Sequence, residues 1–143
     1  MRYLVATDGS EEADTAVRYA ARQALAADAV LDIVHVLSFE AELVEGDIVL
    51  PGGERAIQIG ERTLTQARHL AADVAEERGD DLSVETQLLT GRPADAITDH
   101  ARESGADAIY VGHRGLSEER EQVVGSVAKS VVDKATVPVT VIR

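Results

Sequence analysis

The sequence predicts an α/β protein built on one open, doubly wound parallel sheet with helices on both faces. Three observations carry this. Apolar or alternating runs at residues 2–6, 30–36, 82–89, 108–111 and 137–142 read as five strands. Between them lie segments with helical spacing of apolar residues, and strands separated by helices pair in parallel through right-handed crossovers. Glycines gather where a strand gives way to a helix, at Gly9 after the first run and at Gly112, Gly115 and Gly125 after the fourth.

Arg2-Tyr3-Leu4-Val5-Ala6 is short and apolar, as a central strand would be. Thr7-Asp8-Gly9-Ser10 turns out of it. Ser10 suits a helix N-cap, and Glu11 and Glu12 suit the positive end of the helix. Ala13, Ala16, Val17, Ala20, Ala24 and Ala27 mark its buried face, whose small side chains allow close packing on the sheet.

Val30 to Val36 is the second strand, with His35 inside it as a satisfied core or strand-end histidine. Residues 38 to 53 make a long connection with acidic Glu40, Glu42, Glu45 and Asp47 and a Pro51-Gly52-Gly53 break. Connections of this length are uncommon and often functional. The next helix is predicted from Glu54 to Arg78, with Ile57, Gly60, Leu64, Ala67, Ala71 and Val74 as its stripe and Gly79 as its end.

Leu82 to Leu89 alternates, which points to a sheet edge. Pro93 stands at the start of the third helix, where its missing N–H does no harm. Ala94, Ile97 and Ala101 face inward, and Gly105 ends the helix. Ala108-Ile109-Tyr110-Val111 is the most uniformly apolar run and suits a strand covered on both faces. A glycine-bearing loop follows, then a helix from Ser126 to about Lys134 with Val127, Val131 and Ala135 at helical spacing. Val137 to Ile142 is the last strand. It carries no charge before Arg143, and an apolar edge of that kind invites pairing.

Composition narrows the function. At 143 residues the chain suits one domain, residues 1–143, with a real core. Aromatics are only 3%, so that core must be aliphatic. There is no cysteine, which excludes disulfide and thiolate chemistry. No run approaches the roughly 18 apolar residues of a membrane span, and the start of the chain lacks a secretory pattern, so a cytoplasmic protein is expected. The net charge of −12 and pI near 4.6 argue against nucleic acid and anionic membranes as partners. Lys129 and Lys134 are the only lysines. An acidic chain so poor in lysine is similar to proteins of salt-loving organisms, in which salt screens self-repulsion.

The loop after the fourth strand has a specific spacing. Gly112-His113-Arg114-Gly115, then residues 116–124, then Gly125-Ser126 matches the pattern G-x-x-G, nine residues, G-[S/T]. That is the nucleotide-binding signature of the universal stress protein family, which this chain resembles over nearly its whole length. Val5-Ala6-Thr7-Asp8-Gly9-Ser10, Gly91-Arg92-Pro93-Ala94-Asp95-Ala96-Ile97 and Val137-Pro138-Val139-Thr140-Val141-Ile142-Arg143 resemble family segments in family order.

The resemblance implies a Rossmann-like sheet of order 3-2-1-4-5. Strands 1 and 4 would then flank the point where the winding reverses, and ligands bind at such points outside the carboxyl ends of the strands. It also implies an adenine nucleotide, ATP or else ADP or AMP, lined by Ala6, Thr7, Asp8, Val36, Val111, Gly112, Arg114, Gly115, Gly125, Ser126 and Val127. Mg²⁺ or Mn²⁺ is a candidate companion ion. The family's dimers imply a homodimer joined through Val137–Ile142, acting as a stress-response sensor or regulator. No residue is assigned a catalytic role, and slow ATP hydrolysis is the most that the resemblance leaves open.

Each site residue also has a plainer reading. The glycines serve tight turns, and Ser126 suits a helix cap. Arg114 suits phosphate oxygens or an ion pair with Glu118 or Glu119. Asp8 suits a ribose hydroxyl or a metal-bound water, and equally suits capping the first helix with Ser10. His113 reads as a solvated loop histidine. Glu118, Glu119 and Glu121, offset by Arg120, weaken anion binding unless they point away or are screened. If they abolish it, the alternative is a dimeric interaction module of the same fold.

Overall fold

The computed structural model describes residues 1–38, 42–44, 46–49, 53–114 and 124–143. In chain order the elements are β1 (Arg2–Ala6), α1 (Glu11–Ala27), β2 (Val30–Leu37), β3 (Glu42–Val44), β4 (Asp47–Val49), α2 (Glu54–Arg78), β5 (Val84–Thr90), α3 (Pro93–Ser104), β6 (Ala108–Gly112), α4 (Ser126–Lys134) and β7 (Val139–Ile142). Five strands form one parallel sheet in the order β5-β2-β1-β6-β7. Counting the sheet's own strands along the chain, this is the expected 3-2-1-4-5.

The alternation of side chains along each strand divides the core in two. Val5, Leu31, Ile33 and Tyr110 pack with α1 and α2 on one face. Leu4, Val34, Ile109 and Val111 pack with α3 and α4 on the other. Helix α1 meets the sheet through alanine: Ala16, Ala20, Ala21 and Ala24 are fully buried. Tyr110 stacks at a tilt between Tyr3 and Tyr19, with ring centroids 5.7 and 6.0 Å away. Burial pushes its phenol up, and the neighbouring Tyr3 and Tyr19 add to this.

Residues 42–49 hold an antiparallel hairpin that the sequence reading does not contain. β3 pairs with β4 around Gly46, whose φ of +85° favours glycine. Helix ends follow their sequence signals closely. Gly79 and Gly105 end α2 and α3 in the left-handed conformation, and Pro93 opens α3. In α4 the buried positions are Ala128 and Val131, whereas Val127, expected inside, is 39% exposed.

Asp32 is a carboxylate buried within β2, at 3% exposure. It accepts from His100 Nε2 at 2.9 Å and from Arg2 Nη1 at 3.5 Å. Arg2 also binds Glu85 at 2.5 Å, so polar side chains of three strands and α3 meet there. A buried carboxylate needs such partners, and removing one would leave it uncompensated. Among the described residues, no helix is long and apolar enough to cross a membrane.

Candidate functional site

The winding reverses between β1 and β6, which lie side by side. Open parallel sheets take ligands at the carboxyl ends of such neighbouring strands, which here bear the turn after Ala6 and Gly112.

The first wall is a turn that satisfies itself. The Thr7 N–H donates to the Val34 carbonyl at 2.9 Å, and Thr7 Oγ1 accepts from the Gly9 N–H at 3.1 Å. Asp8 Oδ1 accepts from the Ser10 N–H at 3.0 Å, and Ser10 Oγ accepts from the Ala13 N–H at 3.1 Å. Gly9 adopts φ +84°, which a side chain would strain. Ser10 is the N-cap of α1, as expected, and Asp8 supports the same turn. His35 Nδ1 donates to the Thr7 carbonyl at 2.8 Å, which ties β2 to this turn and accounts for the histidine.

The second wall starts at Gly112. A Cβ there would lie 3.3 Å from both the Ala13 nitrogen and the Glu12 carbonyl carbon. Glycine at this position lets β6 come close to the first turn of α1. His113 is buried, at 4% exposure, and is not the solvated histidine expected. Its N–H donates to the Ile142 carbonyl at 2.6 Å, and its carbonyl accepts from the Gly125 N–H at 2.7 Å. These two backbone bonds draw His113 inward between β7 and α4.

Arg114 has a described partner, and it comes from far along the chain. Its backbone N–H donates to Glu12 Oε2 at 2.8 Å, and its Nε and Nη2 donate to Glu12 Oε1 at 2.9 and 2.6 Å. His113 Nδ1 lies 3.8 Å from Glu12 Oε2. Burial pushes the Glu12 carboxyl up, but the hydrogen bonds and charge of Arg114 outweigh it and hold the group below the usual carboxylate range. Asp14, two residues on, is pushed up by burial and by the charges of Asp8 and Glu11, against the pull of Arg18. Negative charge is thus concentrated at the start of α1.

The start of α4 contrasts with this. Gly125 holds the N-cap position, not Ser126, which is the first helical residue. Among the described residues, the N-cap brings no capping side chain and the first turn of α4 holds no acidic residue. A helix N-terminus of that kind presents amide donors and partial positive charge. On the α3–α4 face of the sheet, Val111 belongs to the buried core, and Ala6, Val36, Leu89 and Val124 are partly buried against it. The expected residues Ala6, Val36 and Val111 therefore share an apolar patch. Thr7, Asp8, Gly112 and Arg114 form the walls, and Gly125, Ser126 and Val127 form the helix start. Gly115 and the acidic Glu118, Glu119 and Glu121 lie outside the described residues. Among the described residues, no three His, Asp or Glu side chains cluster as a metal site.

The family model of the universal stress protein family matches residues 1–143. The chain belongs to this family. The universal stress protein YxiE of Bacillus subtilis is 32% identical over 153 residues, covering 99% of this chain and 98% of that protein. The universal stress protein of Archaeoglobus fulgidus in complex with dAMP has 27% identity and a TM-score of 0.75, covering 100% of this chain and 98% of that one. A universal stress protein in complex with cAMP has 26% identity and a TM-score of 0.72, covering 100% and 96%. One residue of the site, Glu12, was not expected to reach Arg114. The sequence marks it only as an acid suited to a helix start, and nothing in its vicinity points to Arg114.

Proposed function

We propose that this universal stress protein binds an adenine nucleotide in the crevice between β1 and β6 and acts as a dimeric regulator of a stress response. The observation that carries the reading is the glycine-capped N-terminus of α4, with no acid in its first turn, at the same end of the sheet as the apolar side chains of Ala6, Val36 and Val111. A helix start suits phosphate, and an apolar patch with few polar groups suits a purine. The dAMP and cAMP complexes of similarly folded relatives support adenine as the base.

In this reading Ala6, Val36 and Val111 meet the base, and Thr7 and Asp8 lie toward the ribose. Gly112, Arg114, Gly115, Gly125, Ser126 and Val127 lie toward the phosphates. Mg²⁺ or Mn²⁺ would neutralise phosphate charge in this acidic chain and raise the affinity for ATP, with slow hydrolysis as the most activity expected. A cytoplasmic site of action goes with this reading. Stability that rises from low to molar salt would fit a halophilic origin.

The sheet's two edges support the dimer. On β5, Arg68 Nη1 donates to the Val84 carbonyl at 3.2 Å and Nη2 lies 3.4 Å from Thr86 Oγ1, which blunts that edge. β7 reads Val-Thr-Val-Ile and carries no charge. A second copy is proposed to pair there.

The test is mass spectrometry of small molecules released from protein purified in high salt with Mg²⁺, followed by titration. Near-stoichiometric ATP, ADP or AMP supports the reading. An empty protein that also gives a flat titration with AMP, and with ATP and Mn²⁺, overturns it in favour of an interaction module.

A further inference from the structure

We propose that the outer edge of β5 is a second self-pairing surface of this chain, held shut by Arg68, and that freeing it joins two copies through antiparallel β5 strands. The inference stands apart from the nucleotide reading and concerns the sheet edge farthest from β7.

The backbone bonds of β5 fix which of its groups are free. The Leu31 N–H donates to the Ser83 carbonyl, and the Gly91 N–H donates to the Leu37 carbonyl. Backbone groups alternate sides along a strand, so the odd-numbered residues of β5 serve β2. Val84, Thr86, Leu88 and Thr90 turn theirs outward, where the sheet ends. Arg68 reaches this row from α2. Its Nη1 donates to the Val84 carbonyl at 3.2 Å, and its Nη2 lies 3.4 Å from Thr86 Oγ1. The guanidinium stands where the N–H of an added strand would come, and that strand must break both contacts to pair. A charged side chain on an edge strand is a common means of refusing such pairing.

A second copy of the chain suits this edge. About a two-fold axis at Gln87, Val84 lies opposite Thr90 of the copy and Thr86 opposite its Leu88, so outward groups meet outward groups. Glu85 is the one charged residue of β5, and it faces Leu89 of the copy rather than another Glu85. Like charges thus do not meet directly across the seam. Leu88 packs on the α2 face of its own sheet. Leu88 of the copy would fall on the same face, beside an open groove of about 300 Å³ lined by Glu61, Leu64, Thr65, Arg68 and Thr86. β5 runs seven residues and β7 four, so the closed edge is the longer of the two pairing surfaces.

The experiment is sedimentation equilibrium of the unmodified chain, Arg68→Ala and Arg62→Ala in molar salt, which screens repulsion between copies of net charge −12. Arg62→Ala takes an equal charge from the same helix and no bond from β5. At matched concentration, Arg68→Ala should reach about twice the mass of the unmodified chain, as closed two-fold pairing gives. Arg62→Ala should match the unmodified chain. Residue-resolved amide exchange locates the seam. The N–H groups of Val84, Thr86, Leu88 and Thr90 should exchange rapidly in the unmodified chain and become protected in Arg68→Ala. Adding Thr86→Pro to Arg68→Ala removes an outward donor and no bond to β2, so it should return the mass to that of the unmodified chain. If the proline variant does not fold, Thr86→Lys, which sets a charge in the seam, should do the same. An unchanged mass in Arg68→Ala overturns the proposal. So does an equal gain in Arg62→Ala, or a gain that survives the change at Thr86. Protection of those four amides in the unmodified chain, or its absence in Arg68→Ala, overturns it too.

Discussion

Helix α1 reaches the crevice with its first turn closed. Ser10 accepts from the Ala13 N–H, Glu11, Glu12 and Asp14 place negative charge there, and Glu12 is clasped by Arg114. Helix α4 starts at the same end of the sheet with glycine at its N-cap and, among the described residues, no acid in its first turn. The same backbone dipole is used in opposite ways. At α1 it is answered from within the protein and holds the fold together. At α4 it is the end proposed to meet an anion from outside.

The comparison breaks most severely at the contact that joins the two walls. Gly112→Val would push a branched side chain onto the backbone of Glu12 and Ala13. The expected loss is about 1–3 kcal/mol of stability by urea denaturation, as overpacking generally costs, and nucleotide affinity should fall with it. Unchanged stability would mean that α1 and β6 are free to move apart.

Arg114→Ala should come next. It strands Glu12 and should cost about 1–2 kcal/mol at pH 7, the range for a buried acceptor left unpaired. The sign with pH follows from the lowered Glu12 carboxyl. Its stabilising contribution is present above the unfolded-state value of about 4.3 and is lost as pH falls through the lower folded value. The difference between the variant and the unmodified chain should therefore shrink below about pH 4. A difference that does not change between pH 7 and pH 3 would show that Arg114 contributes by packing alone.

Ser10→Ala removes the cap of α1 and should cost about 1 kcal/mol, with little change in ligand binding. Ser126→Asp makes α4 resemble α1. Stability should rise by only about 0.3–1 kcal/mol, from an acid at a helix start, while nucleotide affinity drops tenfold or more. Equal affinity in that variant would remove α4 from the phosphate site.

The sheet, its order and most element ends were legible because their signals are local. A run of Val, Ile and Leu, a serine before two glutamates, or a glycine after a helix each acts within a few residues. The edge character of β5 was legible in its alternation. The hairpin at residues 42–49 was not, because each strand is three residues long, too short for a period to show. In the site, the glycine spacing and the flanking motifs pointed to the carboxyl ends of β1 and β6, which lie side by side. The clasp between Glu12 and Arg114 spans 102 residues, and the interior position of His113 depends on Ile142 and Gly125. Contacts of that reach leave no trace in a window of neighbours.

The alanine face of α1 has a consequence for mutational tolerance. Ala16, Ala20, Ala21 and Ala24 are fully buried, and an alanine has almost nothing to delete. Cavities, the usual route by which a core residue is weakened, are nearly closed to this interface. Apart from glycine's backbone cost, damage comes by enlargement, which would lift the helix off the sheet and carry Glu12 with it. Drift at these positions, far from any ligand, would be read at the mouth of the crevice as a change in reach between Glu12 and Arg114.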